Sequence, residues 1–329
     1  MKCTVIAPSN IAFIKYWGRK DETLKLPSNG SISMNLSGLT TTTTVEFDSS
    51  LKEDNVIING TEETKGTNGT NEKVSLHLDR VRKLVGISEK ARVVSENSFP
   101  LGTGLSSSAS GFAALTLAAS KAAGLNLSEK ELSILARQGS GSACRSIPDG
   151  FVEWLDGDSS EDSYAVSLYP SSYWDIVDVA VVLTDQIKDV STTDGQKLAQ
   201  TSPFFETRQM HIKNKIVNIK KAIDEKDFKT FGEIIEAEAL EMHAIMLTSN
   251  PALIYWYPAT ITIMKAVQRW RREGIECYFT MNTGQNIHIL CEKSSEKILC
   301  EKLREISVVK QVIASTPAKG AHLLDTHLF

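Results

Sequence analysis

The sequence predicts an α+β protein rather than a doubly wound parallel sheet, and three observations carry that prediction. Short runs of alternating apolar and polar residues crowd the stretch 4–58. Helical periodicity with charged faces dominates 202–246 and 258–273. Strands therefore come first and helices pack on them. A composition shift near residue 185 divides the 329 residues into an N-terminal domain, 1–185, and a C-terminal domain, 186–329.

In order, 4–7, 31–36, 41–47 and 56–58 read as strands between turn signals. Residues 59–72 (NGTEETKGTNGTNE) are polar and rich in Gly, Asn and Thr, a solvated loop. Val74, Leu76, Leu78, Val81 and Leu84 place a helix over 73–85. A strand at 91–95 and a loop at 97–104 lead into an Ala- and Leu-rich helix, 106–123, that stops at Gly124. The next helix opens on the capping-box pair Ser128 and Glu131 and runs to Arg137. Strands follow at 151–155 and 176–183. Beyond the helical stretch, 277–281 and 286–291 read as strands around a tight turn, then a helix near 294–306 and a last strand near 308–314.

The 36 Lys+Arg stand against 40 Asp+Glu, a formal net charge of −4. Such acidity argues against coating duplex nucleic acid, which needs clustered cations, but leaves room for a small anionic ligand. No apolar run reaches the ~18 residues of a membrane helix, and Pro8, Asn10 and Lys15 interrupt what a signal would keep apolar. The five cysteines, Cys3, Cys144, Cys277, Cys291 and Cys300, form no CxxC pair. Neither a disulfide framework nor a zinc site is indicated, and a reducing cytoplasm is the expected home, with no membrane or nucleic-acid partner.

Three stretches could carry chemistry. In PLGTGLSSSAS, Gly102 and Gly104 permit unusual backbone angles, and Ser106, Ser107 and Ser108 open an Ala-rich helix whose free N–H groups suit an anion. A plain serine-capped helix after a glycine turn accounts for the spacing equally well. No lysine stands at the Walker position, and the pattern is not GxGxxG. In RQGSGSACRS, glycines alternate with hydroxyls at Ser140, Gly141 and Ser142, and Arg145 offers a planar fork for a carboxylate or phosphate. The third, NIAFIKYWGRK, sets Lys15, Arg19 and Lys20 beside Tyr16 and Trp17, which on spacing alone reads as a solvated basic edge.

Together, NIAFIKYWGRKDE, FPLGTGLSSSASGFAAL, LARQGSGSACRSI, GFVEW, MHA at 242–244 and YFTMNTGQN at 278–286 resemble the diphosphomevalonate decarboxylases. These belong to the superfamily of galacto-, homoserine, mevalonate and phosphomevalonate kinases. The resemblance implies a two-lobed fold with substrate in the cleft between lobes, and a homodimer. In the ordinary member, ATP phosphorylates the 3-hydroxyl of a mevalonate 5-phosphate ester; that phosphate then leaves with loss of CO₂, giving an isopentenyl product of isoprenoid biosynthesis. The resemblance also implies that Gly102 through Ser108 cradle phosphate, with Ser107 in direct contact, and that Ser95 and Asn97 hold the adenosine end. Ser140, Gly141, Ser142 and Arg145 match the substrate positions, Arg145 against the carboxylate, and Tyr16, Arg19 and Lys15 match the phosphate side. Magnesium would travel with the nucleotide, with no dedicated metal site.

Three departures stand out. The family pattern Phe-Thr-Met-Asp-Ala-Gly-Pro-Asn becomes Phe-Thr-Met-Asn282-Thr283-Gly284-Gln285-Asn286. Asparagine has nearly the aspartate's shape but no titratable carboxylate, so Asn282 cannot take the hydroxyl proton. Several changes in one turn fit a natural variant better than a single engineered trap. A loop in which the family carries a serine-arginine pair toward the substrate diphosphate reads Thr192-Thr193, one cation short, so a 5-monophosphate is the expected ester. Arg19 stands where lysine is usual. The combination resembles the bisphosphomevalonate decarboxylase branch, which acts on mevalonate 3,5-bisphosphate with no ATP and needs no cofactor. The alternatives are an ATP- and Mg²⁺-dependent enzyme carrying an inactivating change, and a non-catalytic binding homologue. The six histidines show no metal spacing; His243 reads as core, and His288 as a residue on the far face of a strand.

Overall fold

The computed structural model describes residues 1–63, 69–101, 103–186 and 188–329. Its strands begin with β1 (Lys2–Ile14), β2 (Arg19–Asp21), β3 (Leu26–Pro27), β4 (Ser31–Asp48), β5 (Asn55–Ile58), β6 (Thr61–Glu62) and β7 (Lys90–Asn97). Then come β8 (Phe151–Trp154), β9 (Ala165–Tyr169), β10 (Ile176–Val182), β11 (Cys277–Thr280), β12 (Ile287–Glu292), β13 (Gln311–Ser315) and β14 (His322–Leu324). The α-helices are α1 (Thr70–Val85), α2 (Ser107–Ala122), α3 (Glu129–Gly139), α4 (Thr192–Lys197), α5 (Phe205–Glu225), α6 (Phe228–Leu247), α7 (Pro258–Arg272) and α8 (Glu296–Arg304).

The first sheet runs β14-β1-β4-β7-β5-β6, with β8 and β9 extending from β4. Its pairs are antiparallel except β5 with β7. Helix α2 lies on it because its alanines are small: Ala109, Ala113, Ala114, Ala118 and Ala119 are fully buried, so helix and sheet approach closely. Helix α3 starts as read, with Ser128 Oγ accepting from Glu131 N–H and the Glu131 carboxylate accepting from Ser128 N–H.

The second sheet, β11-β12-β10-β13, is antiparallel throughout. One face, with Val177, Val179, Val181 and Ile289, meets Ile263, Val267, Trp270 and Leu299 of the helices. The other face belongs to a core that also takes in Ile11, Phe13, Met34 and Leu36 of the first sheet and Phe231 and Ile235 of α6. That shared core seats one sheet against the other.

The sheets do not change over at residue 185. Strand β10, before that position, is central to the second sheet, and β14, after it, returns to the edge of the first. Composition registers that β10 is apolar but not which strands it pairs with. The two strands read at 31–36 and 41–47 are one strand. Gly38 lets it pass β13, for a Cβ there would lie 2.7 Å from Ser315 Oγ and 2.8 Å from the Ala314 carbonyl. The short strands β2, β3, β6, β9 and β14 lacked a readable alternation and went unpredicted; β6 and the start of α1 fall in the stretch 59–72 read as a loop, of which 64–68 lie outside the described residues.

Candidate active site

The turn before α2 is built on close backbone contact. Gly104 has φ +91°, and a Cβ there would come within 2.7 Å of Gly284 Cα. The 281–286 turn is thereby pressed onto the glycine turn. Asn286 fastens the contact: its amide donates to the carbonyls of Thr103 (3.0 Å) and Thr184 (3.1 Å), and its Oδ1 accepts from Leu183 N–H (2.7 Å) and Thr184 N–H (3.2 Å). Gly102, part of the expected phosphate cradle, lies outside the described residues.

Asn282 faces the opening of α2. Its Nδ2 donates to Ser106 Oγ at 2.8 Å, and Ser106 itself has φ 60° and no capping bond. His243 donates from Nε2 to the Asn282 carbonyl at 3.0 Å and stacks on Trp256, ring centroids 5.1 Å apart. It is therefore buried as expected, yet in contact with the site, holding the turn's backbone. Burial pushes its imidazole down to about 3, so it stays neutral. Ser107 is half-buried, and Ser108 is exposed and accepts from Ser140 Oγ at 3.3 Å. The two serine-rich turns thus meet at this hydrogen bond.

Arg145 lies in the last turn of the short 3₁₀ helix Gly141–Ser146. Nη1 donates to Ser31 Oγ (2.9 Å) and Nη2 to Asn10 Oδ1 (3.0 Å), while Asn10 Nδ2 donates to the Ser142 carbonyl (3.2 Å) and Ser146 Oγ (2.8 Å). Arg145 is only 4% exposed and meets no carboxylate among the described residues; its Nε has no partner there. Burial lowers its pKa, the mark of a cation without a counter-charge.

Lys15 does not sit with Tyr16 and Arg19. Its side chain turns inward, Nζ donating to the Ala12 carbonyl, and its N–H donates to Glu238 Oε1 at 3.1 Å. Glu238 is bound by Arg208 and Lys215. Burial pushes the Lys15 ammonium down to about 7 despite Glu238, and Arg145 lowers it further. Lys15 follows the last residue of β1, and it is Glu238 and Arg208, bound to its backbone N–H and carbonyl, that fix it in the interior. Arg19 Nε donates to Tyr16 Oη at 2.6 Å, and the Tyr16 ring lies under the Gly141 turn, where a Cβ would meet it at 2.8 Å.

Ser95 and Asn97 lie on β7, where Ser95 Oγ bonds Thr43 Oγ1 (2.7 Å) and Asn97 Oδ1 accepts from Thr41 Oγ1 (2.7 Å). Thr192 Oγ1 reaches Thr283 Oγ1 at 2.6 Å; Thr193 is exposed and makes no polar contact among the described residues. Sequence reasoning missed Lys188. Its Nζ donates to Thr192 Oγ1 (2.5 Å), the Thr283 carbonyl (2.7 Å) and Thr283 Oγ1 (3.1 Å), and burial lowers it to about 8. A lone lysine in an unpatterned loop carries no signal of this. His288 faces Asp178 across β10 and β12, Nδ1 to Oδ2 at 2.9 Å, and takes no part in the cleft. Among the described residues no three His, Cys, Asp or Glu side chains cluster to hold a metal.

The glycine turn and the arginine turn are carried on two seated sheets, an α+β architecture that matches the small-molecule-kinase superfamily fold. Two family models cover the chain: the diphosphomevalonate decarboxylase-like N-terminal domain matches 7–165, and the mevalonate 5-diphosphate decarboxylase C-terminal domain matches 178–324. The chain belongs to the diphosphomevalonate decarboxylase family. It is 36% identical over 307 residues to the diphosphomevalonate decarboxylase of Candida albicans, covering 89% of this chain and 85% of that one. It is 33% identical to the phosphomevalonate decarboxylase of Haloferax volcanii, covering 88% of each. The mevalonate diphosphate decarboxylase from Enterococcus faecalis, solved for its mevalonate diphosphate-mediated ATP binding, superposes with TM-score 0.90 at 38% identity over 99% of both chains.

Proposed function

We propose that the chain is a carboxy-lyase acting on a mevalonate phosphate ester, and that this ester is mevalonate 3,5-bisphosphate, taken without ATP. The observation that carries it is Asn282: the group at the reacting turn is an amide that donates to Ser106, not a base. Elimination needs none. As the C3–O bond breaks, the C1–C2 bonding pair becomes the C2=C3 double bond. The products are CO₂, inorganic phosphate and isopentenyl phosphate. Negative charge moves from the carboxylate to the leaving phosphate, so stabilisation is needed at the phosphate oxygens. The backbone N–H groups opening α2 and the hydroxyls of Ser106, Ser107 and Ser108 can supply it, already oriented. Arg145, held by Asn10 and Ser31, orients the carboxylate, with Ser140, Gly141 and Ser142 beside it.

The ATP-dependent reading is favoured by Ser95, Asn97 and the Gly104 turn, which would hold a nucleotide whose γ-phosphate activates the 3-hydroxyl. Two assays separate the readings. Asn282→Asp should bring no ATP-dependent gain on mevalonate 5-phosphate; a gain of a hundredfold would favour the ATP-dependent enzyme. Binding without turnover in both forms would favour a non-catalytic homologue. A reducing cytoplasm and a homodimer belong to the same proposal, the exposed Val217 and Leu240 of the 215–246 stretch being apolar surface that a second copy would cover. The sedimentation coefficient tests the dimer.

A further inference from the structure

Between the end of β1 and Arg19 the backbone passes through the interior, with Trp17 fully buried and Gly18 at φ +97°. Polar backbone groups need partners there. The Gly18 carbonyl accepts from Ser28 N–H at 3.1 Å. Two more groups are met by one side chain, Gln196 of α4, which is only 2% exposed. Its Oε1 accepts from Gly18 N–H (2.6 Å), and its Nε2 donates to the Tyr16 carbonyl (3.1 Å). The carboxamide thus clips the chain on both sides of Trp17, as one residue of a neighbouring strand would. Gly18 N–H can only donate and the Tyr16 carbonyl can only accept, so the amide has a single orientation.

The clip joins two parts of the site. Arg19 Nε donates to Tyr16 Oη (2.6 Å) and Nη1 to Glu22 Oε2 (2.5 Å), leaving Nη2 without a partner among the described residues. A Cβ at Gly141 would lie 2.9 Å from that same Tyr16 hydroxyl, so the guanidinium is held next to the serine-glycine turn. On its other side, α4 continues a segment whose Lys188 and Thr192 are both bonded to Thr283, the neighbour of Asn282. Gly195 packs so closely that a Cβ there would lie 2.8 Å from Trp17 Cη2. One segment, 188–196, therefore spans from the Asn282 turn to the Tyr16–Arg19 edge. A buried amide that served local folding alone would make the same two bonds, but its loss would not single out one group of a ligand.

We propose that Gln196 is a positioning residue: by fixing the Tyr16–Gly18 backbone it sets Arg19 where its free N–H meets the ester phosphate. The proposal rests on the mevalonate-ester reading, with Arg19 on the phosphate side, but not on ATP independence. Its test is a double-mutant cycle, read by calorimetric titration of the full chain with mevalonate 5-phosphate and with unphosphorylated mevalonate, no nucleotide present. Gln196→Met fills similar space and makes neither bond. It should weaken the phosphate ester about tenfold and leave mevalonate unchanged. In an Arg19→Met background the same change should weaken the ester less than about twofold, because the group it positions is gone. Should Gln196→Met not fold, Gln196→Glu, which keeps the acceptor for Gly18 and loses the donor to Tyr16, gives the same comparison. Lys197→Met, on an exposed residue of α4 paired with Asp194, should change nothing. Equal loss for both ligands, or the same loss with and without Arg19, would make Gln196 purely structural and overturn the proposal. Unchanged ester affinity in Gln196→Met or in Arg19→Met would overturn it as well. A wild type that binds neither ligand sinks the ester reading itself.

Discussion

Around Arg145, the quoted family stretches are retained almost unchanged, and the cation is held in the interior by two neutral side chains, Asn10 and Ser31. Around residue 282 the departures gather: Asn282, Thr283 and Gln285 on one turn, with Thr192 and Lys188 packed onto it. None of the hydrogen bonds from this turn to the described residues involves a carboxylate; the partners are Ser106, His243, Trp256, Lys188, Thr192, Thr260 and the backbone. One turn holds a buried cation with no carboxylate partner among the described residues, and the other is lined by amides, hydroxyls and an ammonium. Such a division suits elimination from a substrate that arrives already phosphorylated.

The largest effect should come from the conserved-pattern end. Arg145→Met removes the carboxylate's partner, and kcat/KM should fall about 10³-fold. Thermal stability should change little, because the lost hydrogen bonds to Asn10 and Ser31 are offset by removing a buried charge that has no counter-charge. A fall in kcat/KM under tenfold would move the carboxylate grip elsewhere.

pH should act on buried groups at both ends: on histidines in the acid range, and in the alkaline range on Lys15 near Arg145 and Lys188 near Asn282. His243 and His77 are pushed by burial down to about 3, against about 6.5 unfolded. Between those values the unfolded chain binds protons that the native state refuses, so stability falls as pH drops from about 6.5 toward 3. Lys15, at about 7 in the fold, sits at the Arg145 end and works in the alkaline window. From pH 7 upward the unfolded chain holds the extra proton, so stability rises toward the lysine's ordinary pKa. Urea midpoints across pH should show both slopes. His243→Gln should lessen the acid slope, His77 keeping its share, and Lys15→Met should lessen the alkaline one, Lys188 keeping its share.

A smaller loss is expected where the two ends of the cleft touch. Gly104→Ala combines φ +91° with a Cβ 2.7 Å from Gly284, and should cost about 3 kcal/mol in chemical denaturation. The smallest is Thr283→Ala, which removes the hydroxyl bonded to Lys188 and Thr192. About 1 kcal/mol of local stability should go, read as several-fold faster amide exchange over 188–192 with the 141–146 turn unaffected.

What was legible in the sequence was local chemistry. Ser128 and Glu131 announce a helix start because the capping bonds close within one turn. The two glycine-serine turns are legible because a left-handed backbone and a close contact demand glycine. Residues joined only by the fold were not legible. Lys188 is tied to Thr283 and Lys25 to Gly139 by contacts that no spacing encodes, and β14 closes the first sheet from the far end of the chain. Lys15 stands within a legible motif, yet its place inside the protein depends on Glu238 and Arg208, far along the chain. Identity is written locally; partnership is not.

The most direct measurement is release of CO₂ and inorganic phosphate from mevalonate 3,5-bisphosphate by the unaltered chain in nucleotide-free buffer. The account predicts turnover with the two products in equal amounts, unchanged when ATP and Mg²⁺ are added. No release until ATP is supplied would contradict it.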